Sequence, residues 1–521
     1  MRHKPRLPYC GLTVVLSNPS RFDNHAKELI SGTAGHFFQT KCLGERISRH
    51  ACDIRTSDTI GDGILSGTRA LLLLGDKAFN EWTNGNYRDY SINEQRGCPL
   101  KNVFNIPTIV SYYPQDAIDI QDYESRLNPQ DEGGQEDDAR EDEDEDDGEV
   151  KKKGRTRRTN YRFWLERDTK KIISRLSPSL NQSVIPSTGF ERRIAPASEE
   201  VVAFLGSVKD EDNLYMDIET SVDGGYNLFC IGVSTDTSPV YVFPIFKWDG
   251  GLFYSAIACA SIFKALAYAM GKACVVTHNG FGFDLLVLAW RYKLPFGHRH
   301  YDTMVAHHRV YPEVEKSLGH CLSLWTWEEY HKDEGCFNPH NMNDLVRLME
   351  YNSKDVHGMR LIKKAIDAYA RKVPGLEESI RQGMDTIYPY TLCSLSGIIF
   401  DDSRRQSILT QNDRKLTQYL RWLELLKPKE YKPRILPTSS KSCVMFFHDF
   451  LNYDVVGRSR NISKKTGKPL NTPSLNEKNI YKLKLKYPEN IMLDICIAYR
   501  RLKKMSGMLG FEPWDINKLP T

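Results

Sequence analysis

Two acids one residue apart lie in the apolar strand pattern NLYMDIETS, and strand side chains alternate. Asp217 and Glu219 therefore share one face while Ile218 points into the core. Paired carboxylates repel, and that strand contains no Arg or Lys to neutralise them. Divalent cations are the natural partner for such a face, and a metal-held water is a ready nucleophile. Taken alone the triplet is weak, because a strand-end Asp beside a helix-capping Glu reads the same way. A second group is His278-Asn279-Gly280-Phe281-Gly282-Phe283-Asp284, which follows the apolar run ACVVT. Its two glycines let backbone pass close to a ligand or another strand. Asp284 falls near a helix start, where capping is its ordinary use. A third group is Tyr351-Asn352-Ser353-Lys354-Asp355, in a helix expected to begin near Asn343. Tyr351 and Asp355, four apart, share one helical face.

The elements that must position these groups can be read from hydrophobic periodicity. Strands are expected at 214–219, 228–234 and 239–243, then a long apolar helix near 252–270, a strand at 273–277, and mostly helix to about 371. Three strands in series, then helix, strand and helix, is the order of a ribonuclease H-like fold. Upstream, GLTVVLSNP, TRALLLLG and PTIVSYYP read as buried strands with helical patterns between them, as at 76–82. That alternation predicts a small α/β domain with a parallel sheet. Residues 161–176 form an amphipathic pattern suited to a helix bridging two domains, and the chain from about 374 is helical and polar.

In this order, DIE, NGFGFD and YNSKD resemble the three exonuclease motifs of the DEDD superfamily. The intervening stretch 301–326, YDTMVAHHRVYPEVEKSLGHCLSLWT, is similar to phage-type family A (DNA polymerase I-like) polymerases. The resemblance covers about 170 residues and implies a 3′→5′ exonuclease. Asp217, Glu219, Asp284 and Asp355 would hold two Mg²⁺ or Mn²⁺ ions. One ion would yield the attacking hydroxide and the other would stabilise the departing 3′-oxygen. Tyr351 would orient the water, while Asn279 and Phe283 would position the terminal nucleotide. His278 reads as structural, and His357, on a different helical face from Asp355, needs no special role.

The flanks extend the comparison. LPTSSKSCVMFFHDFLNYDVV (436–456), KKTGKP (464–469) and LDICIAYRRLKKM (493–505) resemble the thumb-region segments that follow the exonuclease in family A polymerases. Residues 401–521 carry 24 Lys or Arg against 12 Asp or Glu, which suits a grip on phosphates. No palm or fingers pattern appears. A separate polymerase subunit carrying them is therefore expected, or their removal from this chain, with apolar surface around 491–499 and at Phe511 and Trp514 awaiting that partner. The N-terminal SGTAGHFF, RALLLLGDKAF and PTIVSYYPQ are similar to uracil-DNA glycosylases. The water-activating loop of those enzymes is here Ser17-Asn18-Pro19-Ser20, however, and their His-Pro is Tyr113-Pro114. An inactive domain is expected.

Residues 131–149 hold thirteen Asp or Glu and one Arg, and a basic KKKGRTRR follows. Such a stretch has little to bury and reads as a disordered linker. The twelve cysteines form no CxxC pair, and His320, Cys321, His331, Cys336 and His340 fit no zinc spacing. No apolar run approaches a membrane span, and the N-terminus lacks a signal-peptide core. The expectation is a cytoplasmic protein (host cytoplasm if viral), binding a single-stranded 3′ end and primer–template DNA. Its domains are read as glycosylase-like three-layer α/β (1–127), linker (128–160), connecting helix and segment (161–205), exonuclease (206–371) and a mostly helical thumb-like segment (372–521). The alternatives are a non-catalytic processivity scaffold and an exoribonuclease of the same superfamily.

Overall fold

The computed structural model describes residues 2–115, 161–176, 189–397, 401–458 and 472–510, apart from short gaps at 20, 46, 84, 88–89, 102–103, 105, 222–225 and 296–298. The acidic linker, the KKTGKP turn, Phe511 and Trp514 lie outside the described residues. Among the described residues, 2–397 form one compact unit and 401–510 a second.

The first unit opens with a five-stranded sheet: β1 (Arg2–His3), β2 (Leu12–Leu16), β3 (Asp53–Thr56), β4 (Ala70–Leu74) and β5 (Thr108–Ser111), in the order β1-β3-β2-β4-β5. Strands β3, β2, β4 and β5 are parallel, and β1 joins the edge antiparallel. Every residue of β2 and β4 is buried, as parallel strands covered on both faces require. Helix α1 (Asp76–Trp82) follows β4 and buries Ala78, Phe79 and Trp82. Strand β3, sequence Asp-Ile-Arg-Thr, is absent from the sequence-based expectation because its charges hide it. Arg55 Nε donates to Asp53 Oδ2 at 3.0 Å and Arg2 Nε to Oδ1 at 3.2 Å, so Asp53 and Arg55 are wholly buried as partners.

After α2 (Tyr161–Ile173) comes a six-stranded sheet ordered β11-β10-β7-β8-β9-β6. It comprises β6 (Arg192–Ile194), β7 (Asn213–Thr220), β8 (Leu228–Ser234), β9 (Val240–Pro244), β10 (Cys274–Thr277) and β11 (His300–Asp302). Strands β7, β8 and β9 are antiparallel neighbours, while β10 and β11 run parallel to β7. This is the ribonuclease H-like arrangement. Sequence periodicity misses β11, since three residues carry no period. Helix α3 (Ala256–Lys272) begins later than expected because Ser255 caps it, accepting the N–H of Ala258 at 3.2 Å. Helices α4 (Asp284–Tyr292), α5 (Thr303–Val310), α6 (Leu318–Trp325) and α7 (Met342–Ala370) complete the layers. Helices α8 (Leu376–Met384) and α9 (Ile387–Ser396) pack in this same unit, against α5 and α4 respectively.

The second unit is helical. Helix α10 (Asp402–Leu426) packs against α12 (Ile491–Leu509), and α11 (Glu477–Lys486) packs against α12 as well. The apolar surface expected around 491–499 is not there. Met492, Leu493, Ile495, Cys496 and Ile497 are buried in a core with Leu423, Phe446, Phe447 and Ile480. The hydrophobic stripe of α12 is satisfied within its own unit, and Ile491 alone of that apolar run is largely exposed. Among the described residues no helix is long and apolar enough to cross a membrane.

Helix α2 joins the two sheets of the first unit. Leu165, Ile172 and Ile173 enter a core with Leu12, Val14 and Ile109, while Trp164 enters another with Trp325 and Tyr301. At the centre sits a buried charge cluster. Asp168 of α2 accepts from Ser111 Oγ at 2.6 Å and lies 3.6 Å from Arg96 Nη1. Arg96 donates to Ser323 Oγ of α6 at 2.7 Å and lies over the Trp164 ring at 3.4 Å. Lys171 donates to the Ser323 carbonyl at 2.7 Å and to that of Gly97. Burial presses both signs toward neutrality, lowering Lys171 to about 8 and raising Asp168. Asp168→Ala would leave the buried Arg96 guanidinium without its carboxylate and is expected to lower the unfolding free energy by about 3–5 kcal/mol. Denaturant titration measures it; a loss under about 1 kcal/mol, the value of a surface pair, would contradict the burial.

Candidate active site

Strand alternation sends Ile218, 2% exposed, into the core and turns Asp217 and Glu219 to the opposite face. Opposite them on β8 stand Gly232 and Cys230. A Cβ at Gly232 would lie 1.9 Å from Asn352 Oδ1, so the glycine is what admits the Asn352 side chain. Asn352 Nδ2 donates to Asp217 Oδ2 at 2.7 Å, fixing that carboxylate from α7. Helix α7 is capped by Asn341, which accepts from Asp344 N at 3.0 Å, and turns Tyr351, Asn352 and Asp355 inward. One carboxylate oxygen from each of Asp217, Glu219 and Asp355 lies within 4.8 Å of the others. Asp284 stands outside that trio at the start of α4. Its Oδ1 accepts the N–H of Ile218 at 2.9 Å, beyond the point where β10 stops pairing with β7.

In the turn before α4 the left-handed residue is Asn279 (φ 64°), while neither Gly280 nor Gly282 has positive φ. The glycines serve close approach: a Cβ on Gly280 would meet Thr277 Oγ1 at 2.3 Å. The Asn279 carbonyl accepts from Gly282 N at 3.0 Å and Phe283 N at 3.1 Å, which tightens the loop. Phe283 is half-buried, its ring 6.4 Å from that of Tyr226. Asp302 anchors the loop from β11, accepting from Gly280 N at 2.9 Å and Thr277 Oγ1 at 3.1 Å. Its other oxygen caps α5 through Met304 N and Val305 N. His278 sits 2.8 Å from Thr303 Oγ1 and 2.9 Å from the Lys316 carbonyl, and burial pushes its pKa down to about 3. His357 stacks on Phe190 at 4.2 Å, with Arg360 Nη2 2.8 Å from its Nδ1.

Sequence reasoning missed two residues that touch Asp355. His331 Nε2 lies 2.8 Å from its Oδ1, and Lys332 Nζ donates to both oxygens at 2.7 and 2.6 Å. The same ammonium donates to Tyr351 Oη at 2.9 Å. The DIE triplet showed no neutralising base in its strand, and this lysine arrives from 115 residues downstream.

The electrostatics follow from crowding. Burial raises Asp217 well above the usual carboxylate range, and Asp284, Asp355 and Glu219 raise it further. Burial, then Asp355, lifts Glu219 to about 8, and burial lifts Asp284 to about 7 against the hydrogen bond from Ile218. Burial pushes Asp355 up as well, but Lys332 and His331 outweigh it and hold its pKa below the ordinary value. Burial and the same carboxylates raise Tyr351, which stays a neutral hydroxyl. An all-oxygen donor set whose charges repel is what a hard divalent ion relieves, so Asp217, Glu219 and Asp355, with Asp284 alongside, fit Mg²⁺ or Mn²⁺.

No family model matches the chain, and no curated protein matches it. Solved structures similar to it include Trypanosoma brucei RNase D, at 14% identity over 41% of this chain and 76% of that one, with a TM-score of 0.30. An apo form of a nuclease is 14% identical over 41% of this chain and 99% of its own, also with a TM-score of 0.30. The catalytic core of RRP6 from Trypanosoma brucei is 9% identical over 64% and 84%, again with a TM-score of 0.30. The functional reading rests on the site's own geometry.

Raised carboxylates bind protons more tightly in the fold than in the unfolded chain. Glu219 and Asp284 therefore favour the metal-free fold fully below 4.5 and 3.8, and that contribution is lost as pH rises through about 8 and about 7. Asp355, lowered, acts in the opposite sense, its contribution lost as pH falls below 3.8. The melting temperature in EDTA is thus expected to fall between roughly pH 5 and pH 9, less steeply in Glu219→Gln, with Mg²⁺ restoring it in the parent. An equal decline in both proteins would contradict the Glu219 shift.

Proposed function

We propose that this chain is a metal-dependent 3′→5′ exonuclease acting on DNA, which proofreads for a family A replicative polymerase whose palm and fingers lie elsewhere. The observation that carries the catalytic part is the convergence of Asp217, Glu219 and Asp355 within 4.8 Å, with Tyr351 one helical turn from Asp355. Bound divalent ions would supply an activated water and charge stabilisation for the leaving 3′-oxygen. The chain's own residues do the positioning. Asn352 orients Asp217, Asp284 ties the start of α4 to β7, and Tyr351 offers a neutral hydroxyl that can orient a water but cannot serve as a base. Asn279 and Phe283, on the loop leading into Asp284, are assigned to the terminal nucleotide. The DNA assignment is supported by the thumb-like 436–505 sequences and by the basic excess of 401–521.

Incubation with 3′-labelled single-stranded DNA and, separately, RNA, with and without Mg²⁺, tests the reading. Digestion of RNA in preference to DNA would replace it with an exoribonuclease, and no digestion of either would favour a scaffold. Asp217→Ala/Glu219→Ala is expected to bring digestion to background while DNA binding persists. Tyr351→Phe is expected to slow it by roughly 10–100-fold, less than the loss of metal ligands. Full activity in the double variant would put the active site elsewhere.

For the N-terminal domain we propose a non-glycosylase role. Tyr113, at the position of the catalytic His of the glycosylases it resembles, donates to Asp23 Oδ2 at 3.1 Å, and Ser17 Oγ accepts from Ala78 N at 3.1 Å. Both hydroxyls serve the packing of the domain itself. Uracil-containing duplex is expected to stay intact, with no alkali-labile abasic sites; released uracil would overturn this.

A further inference from the structure

Lys332 lies on the 328–337 stretch between α6 and α7, outside all three acidic motifs. An ammonium has three protons to donate, and the three oxygens facing Nζ are Asp355 Oδ1, Asp355 Oδ2 and Tyr351 Oη, all within 2.9 Å. The ammonium also lies 4.9 Å from the centre of the Tyr351 ring. It is three-quarters withdrawn from solvent, with a side-chain exposure of 23%. A freely solvated surface lysine would not hold three such contacts at once.

The stretch is gripped from both sides. Inward, His331 donates to Asp355 Oδ1 at 2.8 Å, and the Phe337 ring meets Tyr351 edge-on at 5.2 Å. Outward, Asp333 accepts from Tyr90 of the N-terminal domain, Tyr330 packs edge-on against Tyr90 at 6.3 Å, and Glu334 pairs with Lys354 of α7. The lysine is therefore delivered by a braced segment.

Two uses of such a cation differ in consequence. It could stand in for a divalent ion and leave when one binds, or it could stay as part of the working site. The bracing favours the second, because the segment that carries Lys332 is held on both sides. Asp355 is shared: His331 and Lys332 reach Oδ1, Lys332 reaches Oδ2, and Tyr351 hydrogen-bonds the same carboxylate. Tyr351 Oη, for its part, accepts from Lys332, so its own proton must point away from Nζ.

We propose that Lys332 is a positioning residue of the exonuclease site: it fixes the direction in which Tyr351 presents its hydroxyl proton and holds the Asp355 carboxylate in register. The inference rests on the exonuclease reading above and assigns to it a residue outside the acidic motifs. Its contacts are to Tyr351 and Asp355, and its effect runs through those two side chains.

Steady-state digestion of 3′-labelled single-stranded DNA by the full chain tests this, comparing Lys332→Met, Lys332→Arg, Tyr351→Phe and the Lys332→Met/Tyr351→Phe double variant, each checked for a native melting transition. Lys332→Met is expected to lower kcat on the order of 10–100-fold, leaving KM unchanged. Lys332→Arg, which keeps a charged donor, recovers part of that loss. The double variant is no slower than the slower single variant, because both changes break one arrangement. The proposal is overturned if Lys332→Met turns over at the parent rate, if it shifts only the Mg²⁺ requirement, or if its loss multiplies with that of Tyr351→Phe. A parent chain inert on both DNA and RNA would instead bring down the exonuclease reading and this inference with it.

Discussion

Asp217, Glu219, Asp284 and Asp355 crowd one partly water-excluded end of the central sheet, and their mutual repulsion is the constraint to which the surrounding structure answers. Three of the four are met, each differently. Asp217 takes an amide proton from Asn352, Asp284 takes the backbone N–H of Ile218, and Asp355 takes an ammonium and an imidazole. These contacts fix geometry more than they cancel charge, since Asp217, Glu219 and Asp284 all remain raised. The residual cost of ionising them is what makes the pocket a demanding site for cations. Under the proposed function that cost serves catalysis, because a site uncomfortable without metal is one that metal completes.

The N-terminal sheet bears on this site indirectly. Its link to the central sheet is the buried cluster of Arg96, Asp168 and Lys171, which gains little over a well-packed apolar contact but penalises any arrangement that leaves one member alone. Such a cluster specifies one docking of α2 against α6. That docking in turn fixes where Tyr90 meets Asp333 and Tyr330, beside the residues that hold Asp355. Under the proposed non-glycosylase role, that domain matters to the neighbouring site through position alone.

How much of this was legible in sequence depends on how local each signal is. Asp217 and Glu219 could be placed on one face because alternation is a property of the strand itself, and Tyr351 with Asp355 because four residues make about one helical turn. The turn at Asn279 was legible as a turn, but the left-handed residue was not, because glycine masks where positive φ falls. Strand β3 escaped because buried Asp53 and Arg55 look like surface residues until their partnership is seen. Lys332 and His331 escaped for the same reason over a longer range: a loop lysine carries no period, and only the fold brings it to Asp355. The apolar run at 491–499 was read as waiting for a partner, although α10 and α11, within the same unit, already cover it.

The four acids are also unequal in a way that composition could not show. Asp355 is held ionised by Lys332 and His331 before any metal arrives, whereas its three neighbours favour their protons. A divalent cation would therefore find one ionised carboxylate in Asp355 and would compete with protons for the other three. Tyr351 lies beside that committed acid and shares its lysine, so the hydroxyl that would orient water is tied to the most ionised corner of the site. Had Lys332 faced Glu219 instead, the ionised corner would lie on the strand, away from the hydroxyl. The placement of one loop lysine thus links where charge is settled to where water would be aligned.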